Sequence, residues 1–336
     1  SLFMIRGCIL KRKFVTEYSI GYLNSYTGMI TAHQLMNADK MTPKQNAELA
    51  ECHIYAITAI PSSYFKQHSL KHDANGLSGC LCYKIEGVEK EIEFQNFPWV
   101  LDDNAVSIDC KYPFKEVISY DANGKECAYI PANYLSSVFL NRQGRTELND
   151  YEVLYIGQAI GNTGNRTAID RLSSHATLQK ILAKTAYDYP DKEIVIFMYE
   201  FKHENMFSSM DGRAVQADNS SRNEERLFNA IENPPNKKQK IGLIEAGLIR
   251  YFQPPYNKIF TIKFPSTKHK TLISCYELDI SGFVVEINCE NLNYYLHSDS
   301  VKSSHHHIAK IDLFNSIDRS SFFSPTEFKV APDVIV

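Results

Sequence analysis

Residues 193–201, EIVIFMYEF, form an apolar run that is interrupted only at its ends. A strand with one face in water alternates apolar and polar residues, and this segment does not alternate. A strand of this kind has both faces covered by other parts of the protein. The segment therefore predicts a central strand in a sheet that is buried on both sides.

Strands and helices are predicted around this run. The segments LSSVFL (135–140) and YEVLYIG (151–157) predict two strands joined as a hairpin, and a helix follows over residues 168–185. Two further helices are predicted at 222–233 and 237–253, and each ends at a pair of prolines. This order indicates an α+β fold with a small sheet.

The flanking sequence consists mainly of predicted strands and turns. Before the α+β region, CHIYAITAIP (52–61) is a clear strand, and a helix near residues 41–53 has Thr42 as its cap. After it, TLISCYELDI (271–280) and FVVEINC (283–289) are the clearest strands. The predicted division is a β-rich N-terminal domain over 1–125, an α+β domain over 126–260 and a β-rich C-terminal extension over 261–336.

Charge is unevenly distributed along the chain. The 336 residues include 36 Lys and Arg against 39 Asp and Glu, a net charge of −3. Residues 235–270 hold eight basic residues and one acidic residue, Glu245, and eight minus one is +7. Basic residues neutralise phosphates, and a carboxylate can hold a hard cation. The alternative is a solvated basic face in which Glu245 pairs with Arg250 or Lys238.

Arg171 and His175 lie four residues apart on the helix predicted over 168–185, which places them on one helix face. The arginine fork suits a phosphate, and histidine can transfer a proton near neutral pH. Cleavage of a phosphodiester needs both functions. Such pairs also occur on ordinary helix surfaces.

Three motifs follow one another along the chain: YIG at 155–157, RLSSH at 171–175, and Glu245 twelve residues before Asn257 with a proline pair between them. Together they resemble the GIY-YIG nucleases, a family of metal-dependent DNA endonucleases. The Glu-to-Asn segment is especially similar to the N-terminal nuclease module of the bacterial excision-repair incision subunit. The resemblance covers roughly residues 130–258. It implies a small three-stranded antiparallel sheet flanked by helices, with β-rich additions at both ends.

The resemblance also implies a role for each matching residue. Glu245 would bind the metal, Mg²⁺ or Mn²⁺, and Arg171 would contact the phosphate. Tyr155 would lie beside the attacking water, and His175 would assist proton transfer. Asn257 would close the site after the last helix. The implied reaction is one-metal hydrolysis of a phosphodiester.

The first tyrosine of the family has no direct counterpart at the family's spacing. That spacing before YIG falls on Gly144, within a polar loop. A longer hairpin loop would make Tyr134 the first tyrosine, whereas Phe139 also fits the strand but has no hydroxyl. In the loop GNTGNRT, Arg166 competes with Arg171 for contact with the phosphate.

The tails favour a restriction-type or phage-defence enzyme acting on double-stranded DNA, because they lack the appendages of the family's other branches. Pairs of subunits cut both strands in such enzymes, so we expect a homodimer or higher homo-oligomer. The expected location is the cytoplasm of a prokaryote. Residues 1–125 are a candidate for DNA recognition. The alternatives are a catalytically degenerate nucleic-acid-binding protein and a structure-selective repair or recombination nuclease. The basic residues expected to contact DNA are Lys237, Lys238, Lys240, Arg250, Lys258 and Arg166.

The cysteines and the apolar segments complete these expectations. The eight cysteines include no CxxC pair, which favours free thiols in a reducing compartment. No apolar run approaches the ~20 residues needed to span a bilayer, so no membrane partner is expected. The opening segment SLFMIRGCILKRKF has no small-residue cleavage site and is not expected to be a signal peptide.

Overall fold

The computed structural model describes residues 12–36, 41–139, 147–159, 169, 172, 175–210, 217–261, 264–265, 272–314 and 321–323. Within them the protein is mixed α+β, with four sheets. The strands are β1 (Thr16–Leu23), β2 (Tyr26–Thr31), β3 (Ile54–Pro61), β4 (Tyr64–Phe65), β5 (Lys71–Asp73), β6 (Gly76–Ile85), β7 (Val88–Phe97), β8 (Ala105–Asp109), β9 (Glu116–Asp121), β10 (Glu126–Pro131), β11 (Asp150–Gln158), β12 (Lys192–Glu200), β13 (His203–Met210), β14 (Gly282–Asn288), β15 (Tyr295–His297) and β16 (His306–Asp312). The α-helices are α1 (Ala32–Met36), α2 (Pro43–Ala50), α3 (Ala132–Val138), α4 (Ala176–Asp188), α5 (Ser221–Glu232), α6 (Lys237–Phe252) and α7 (Ile273–Glu277).

The central sheet has the strand order β15-β11-β3-β12-β2. Strands β11, β3, β12 and β2 are antiparallel to their neighbours, and β15 is parallel to β11. Strand β12 lies between β3 and β2, and its residues 194–199 are all buried. This confirms the expectation of a central strand covered on both faces. One face packs against Leu178 and Ile181 of α4, and the other packs against α6.

A second sheet, with the order β13-β1-β14-β16, lies on the far side of α6. Helix α6 contacts β11 and β3 in the central sheet and β14 and β16 in the second sheet. Its apolar residues are buried almost all round the helix, as expected for a helix between two layers. A Cβ atom on Gly247 would lie 2.8 Å from the ring of Phe283, so this glycine permits the close approach of α6 to β14.

Residues 62–139 form an insert between β3 and β11, two strands that pair directly with each other. The insert contains a sheet of β4, β6 and β5, with β7 also paired to β6, and a second sheet of β10, β9 and β8. It has its own apolar core, which includes Phe65, Leu81, Phe94 and Val117. The insert is thus a β-rich unit added to the loop between two neighbouring strands.

Strand pairing crosses the predicted domain boundaries at residues 125 and 260. Strand β1 pairs with β13 and β14, β2 pairs with β12, and β3 pairs with β11 and β12. Strands β14 to β16 from the predicted C-terminal extension complete the same two sheets. The structure therefore differs from the predicted division into 1–125, 126–260 and 261–336, because these three parts share sheets.

Several local predictions are confirmed. Helix α2 begins after Thr42, whose side chain accepts a hydrogen bond from the backbone of Gln45. Helices α5 and α6 and strands β3, β11 and β14 lie where the sequence placed them. Helix α6 begins at a capping box formed by Asn236 and Gln239.

Three local predictions are wrong. Residues 132–138 form helix α3 instead of a strand, because a short apolar run does not distinguish a buried strand from a buried helix. The predicted hairpin is therefore absent, and β11 pairs with β3. Within 271–280, residues 273–277 are helical. The helix predicted from residue 168 has a break at His175, whose backbone is extended at the start of α4.

The described residues include seven cysteines with no disulfide among them, and five of them are buried. This agrees with the expectation of free thiols for that part of the chain. None of the described helices is both long enough and apolar enough to cross a bilayer.

Candidate active site

Two tyrosines and one histidine come together at the end of the central sheet. Tyr55 of β3 and Tyr155 of β11 have ring centroids 6.2 Å apart. The ring of His175, just before α4, lies 5.4 Å from that of Tyr155 and 6.0 Å from that of Tyr55. The Tyr55 hydroxyl is 3.5 Å from Nε2 of His175. We call these three residues the Tyr–Tyr–His cluster.

The YIG segment explains how β11 contributes to this cluster. Gly157 lies opposite Tyr55, and a Cβ atom on Gly157 would come within 2.6 Å of the Tyr55 hydroxyl oxygen and 2.8 Å of the Tyr155 ring. Only glycine leaves room for both rings there. The pairing register shifts between Val153 and Tyr155, and irregularities of this kind redirect side chains.

Asn257 connects the chain after α6 to β11 through two hydrogen bonds. Its side-chain oxygen accepts a hydrogen bond from the Ile156 amide at 2.9 Å, and its Nδ2 donates to the Ile156 carbonyl at 2.8 Å. The backbone amide of Tyr256 also donates to the carbonyl of Leu154. Asn257 therefore holds the chain after α6 against β11, at the residue next to Tyr155.

We expect Asn257→Asp to destabilise the protein by about 1–3 kcal/mol at neutral pH, since a carboxylate oxygen would replace the donor that faces the Ile156 carbonyl. Urea denaturation measures this loss. Asn123→Asp, in an exposed turn, is the matched control and should leave the unfolding free energy nearly unchanged. Equal midpoints for both variants would contradict the role of Asn257.

The structure places Tyr134, the predicted first tyrosine, away from β11. Tyr134 lies on α3 of the insert and is 45% exposed, and Phe139 packs against Phe97 within the insert. Neither residue lies on a strand next to β11, whereas Tyr55 does. One sequence signal could have pointed to Tyr55. The Ile54–Tyr55 pair lies in a clearly predicted strand, and the pair resembles the last two residues of a GIY tripeptide.

The structure also changes the relation of His175 to Arg171. His175 precedes the first turn of α4 with extended backbone angles, so a helical spacing of four residues does not connect it to Arg171. Arg171 and the competing Arg166 lie outside the described residues. Contact of either guanidinium with a phosphate stays a prediction.

Glu245 lies on α6 and is half-buried, between the fully buried residues Ile244 and Ala246. Helix α6 packs on the face of β11 and β3 opposite to Tyr55 and Tyr155, whose rings lie on the face that packs against α4. Metal binding by Glu245 stays a prediction.

Five of the six basic residues predicted to contact DNA are described, and these five divide into two groups. Lys237, Lys238 and Lys258 are exposed. Lys240 lies 3.6 Å from Glu204 and donates to the carbonyl of Lys202, and Arg250 donates to the carbonyl of Thr261. The structure therefore uses Lys240 and Arg250 for internal contacts and leaves the other three accessible.

His53 lies directly before β3, two residues from Tyr55. Both of its ring nitrogens are buried without a hydrogen-bond partner. Burial lowers the pKa of His53, and the nearby Lys237 lowers it further, while Glu51 and Glu200 oppose the change. The folded protein therefore favours the neutral imidazole.

The unfolding free energy should consequently fall as the pH drops below about 6.5, because the unfolded chain binds the proton more readily than the folded one. We expect His53→Gln to reduce this slope. The substitution should not remove the slope completely, since burial also lowers the pKa of His307. Urea denaturation between about pH 7 and pH 5.5 measures the slope. A slope equal to that of the exposed control His203→Gln would count against His53.

Within the described residues, one group of three possible metal ligands lies close together: Cys82, Glu89 and Glu91 in the insert. Its carboxylates already accept hydrogen bonds from Tyr64 and Lys66. Burial raises the pKa of the Cys82 thiol to about 12, which disfavours the thiolate that a metal would need. This group does not carry a metal assignment.

No protein-family model, curated protein or solved structure matches this chain.

Proposed function

We propose that the chain is a metal-dependent DNA endonuclease of the GIY-YIG type, acting as a restriction or phage-defence enzyme. The observation that supports this most is the Tyr–Tyr–His cluster, in which Tyr55 and Tyr155 lie on paired strands with His175 beside both. The resemblance implies a small three-stranded antiparallel sheet. Strands β11, β3 and β12 are antiparallel to one another and lie between α4 and α6, which supports the comparison, but the sheet here has five strands.

The cluster can move a proton at the reacting centre. His175 can accept a proton from an attacking water near neutral pH, and the Tyr55 hydroxyl lies within reach of the same imidazole. Tyr155 lies against both rings and is the other candidate for contact with the water. Asn257 keeps β11 in register with the end of α6. Arg171 is proposed to hold the scissile phosphate.

The residues present fit a hard divalent ion. Glu245 offers carboxylate oxygens and is half-buried, with part of its surface open to solvent. Mg²⁺ binds through one or two carboxylates and completes its octahedron with water and phosphate oxygens, so Glu245 can serve without other protein ligands. When bound, Mg²⁺ or Mn²⁺ polarises the phosphate and stabilises the leaving oxygen.

Contact with the DNA backbone is proposed for the exposed lysines Lys237, Lys238 and Lys258. The insert is less suited to contact with the DNA phosphates. Residues 62–139 contain seven Lys and no Arg against eleven Asp and Glu, and seven minus eleven is −4. The charge of the insert therefore does not support the hypothesis that residues 1–125 as a whole recognise DNA. Cutting of both strands by a homodimer or higher homo-oligomer is part of the proposal.

A cleavage assay tests the proposal. Purified protein should cut plasmid or phage DNA with Mg²⁺ or Mn²⁺, and EDTA should abolish cutting. Discrete bands would favour a restriction enzyme, and ragged or junction-dependent cuts a structure-selective nuclease. Inertness on methylated and unmethylated substrates alike would refute the endonuclease and favour a degenerate nucleic-acid-binding protein.

A further inference from the structure

A cleft of about 990 Å³ lies between the edge strand β2 with helices α1 and α2 on one side and the β9–β10 hairpin of the insert on the other. This volume lies at the upper end of the range of small-molecule sites. None of the residues of the proposed nuclease site lines the cleft. The cleft is therefore a separate feature of the fold.

The insert presents one face of β9 and β10 to this cleft. Val117 and Ile130 pair across these strands and point into the core of the insert. The residues on the other face, among them Ile118, Tyr120 and Tyr129, line the cleft. Tyr120 pairs directly with Glu126 across the two strands, so an aromatic ring and a carboxylate share one wall.

The lining is aromatic and acidic. Its tyrosines are Tyr26, Tyr112, Tyr120 and Tyr129. Its charged residues, apart from His33, are Glu48, Glu116, Glu126, Glu193, Lys111 and Lys115. Four carboxyl groups outnumber two ammonium groups in the lining, which agrees with the acidic charge of the insert as a whole. A free phosphate would be repelled from such a lining, and a cation would be attracted.

Both lysines already have partners within the protein. The Lys115 ammonium lies 3.2 Å from Oε2 of Glu193 and donates to the carbonyl of Ser63 at 2.8 Å. The Lys111 ammonium lies 3.9 Å from Asp109 and 5.3 Å from the centroid of the Tyr120 ring. The protein thus places one of its own ammonium groups against an aromatic wall of the cleft.

Two polar atoms in the lining are buried and have no hydrogen-bond partner: Oγ of Ser63 and Oε1 of Glu193. Ser63 is only 1% exposed. A buried polar oxygen without a partner is unfavourable, so both oxygens can accept a hydrogen bond from an N–H group in the cleft. A carboxylate oxygen that accepts only is best matched by a charged N–H donor.

We propose that this cleft binds an organic cation with N–H donors, a primary ammonium or guanidinium group. The tyrosine rings would contact the cation, the carboxylates at the wall would balance its charge, and Ser63 and Glu193 would accept its hydrogen bonds. The group could belong to a free polyamine or to the side chain of a basic peptide, since both present the same chemistry. The proposal does not depend on the nuclease function.

Isothermal titration calorimetry of the full chain tests this, with spermidine and arginine amide as separate probes and AMP as an anionic aromatic probe. We expect saturable binding of at least one amine, weakened by salt, and no binding of AMP. Tighter binding of spermidine would indicate a free polyamine as the source, and tighter binding of arginine amide a peptide side chain.

Glu126→Gln and Tyr129→Ala change solvent-exposed side chains at the wall, and each should weaken amine binding about fivefold or more. The controls, Glu93→Gln on β7 and Tyr187→Ala on α4, change exposed residues outside the cleft and should bind as the wild type does. Absence of saturable amine binding, wild-type affinity in both cleft variants, or preference for AMP would each overturn the proposal.

Discussion

Replacing Tyr55 with phenylalanine is expected to slow DNA cleavage by about 100-fold or more. The substitution removes only the hydroxyl that lies 3.5 Å from Nε2 of His175. The ring is fully buried, and its packing against Tyr155 does not require the oxygen. Single-turnover cleavage of plasmid DNA in saturating Mg²⁺ measures the effect, because it isolates the chemical step from product release.

Tyr134→Phe is the matched control, since it removes the same hydroxyl from an exposed helix of the insert. Its cleavage rate should stay within about twofold of the wild type. Loss of one hydrogen bond at Tyr55 should cost only about 1 kcal/mol of stability, so both variants should remain folded in a thermal scan. A wild-type rate for Tyr55→Phe would refute the catalytic role of the cluster, and a slow Tyr134→Phe would restore Tyr134 as the first tyrosine.

The elements that the sequence predicted correctly are those with a strong local pattern. The apolar run of β12, the capped start of α2 and the proline-terminated helices α5 and α6 each depend on neighbouring residues. Short apolar runs were less informative. Residues 135–140 lack the length that separates a strand from a buried helix, and the hairpin prediction failed with them.

The place of Tyr55 beside Tyr155 could not be found by spacing, because the insert separates two strands that are neighbours in space. Tyr55 and Tyr155 are 100 positions apart in the sequence, yet β3 and β11 pair directly. Local sequence carries no information about which strands pair across such a distance. The other proposed site residues, from Tyr155 to Asn257, were predicted from three motifs that follow one another along the chain.

The residues proposed to contact DNA also could not be selected from local sequence alone. All the lysines and arginines of the basic stretch look alike in the sequence, but their partners come from elsewhere in the fold. Lys240 pairs with Glu204 of β13, and Arg250 donates to the backbone at Thr261. Only the packed structure distinguishes these from the exposed Lys237, Lys238 and Lys258.

Glu245→Ala is expected to reduce cleavage by about 1,000-fold or more, since it removes the carboxylate proposed to hold the divalent ion. Alanine is the strongest helix former, so α6 should keep its structure. DNA binding in the absence of metal should change little, because many phosphate contacts share the affinity. Cleavage kinetics, a DNA-binding titration and a thermal scan on the same preparation separate these three effects.

Glu232→Ala is the matched control for the loss of a carboxylate, because Glu232 is exposed at the end of α5 and lies outside the proposed site. It should cut DNA at the wild-type rate. A folded Glu245→Ala protein that still cuts in Mg²⁺ and stops in EDTA would place the metal at other ligands. A variant that loses DNA binding in proportion to cleavage would instead assign Glu245 to the structure of the DNA-binding surface. Only loss of cleavage with retained binding and folding supports Glu245 as the ligand of the catalytic ion.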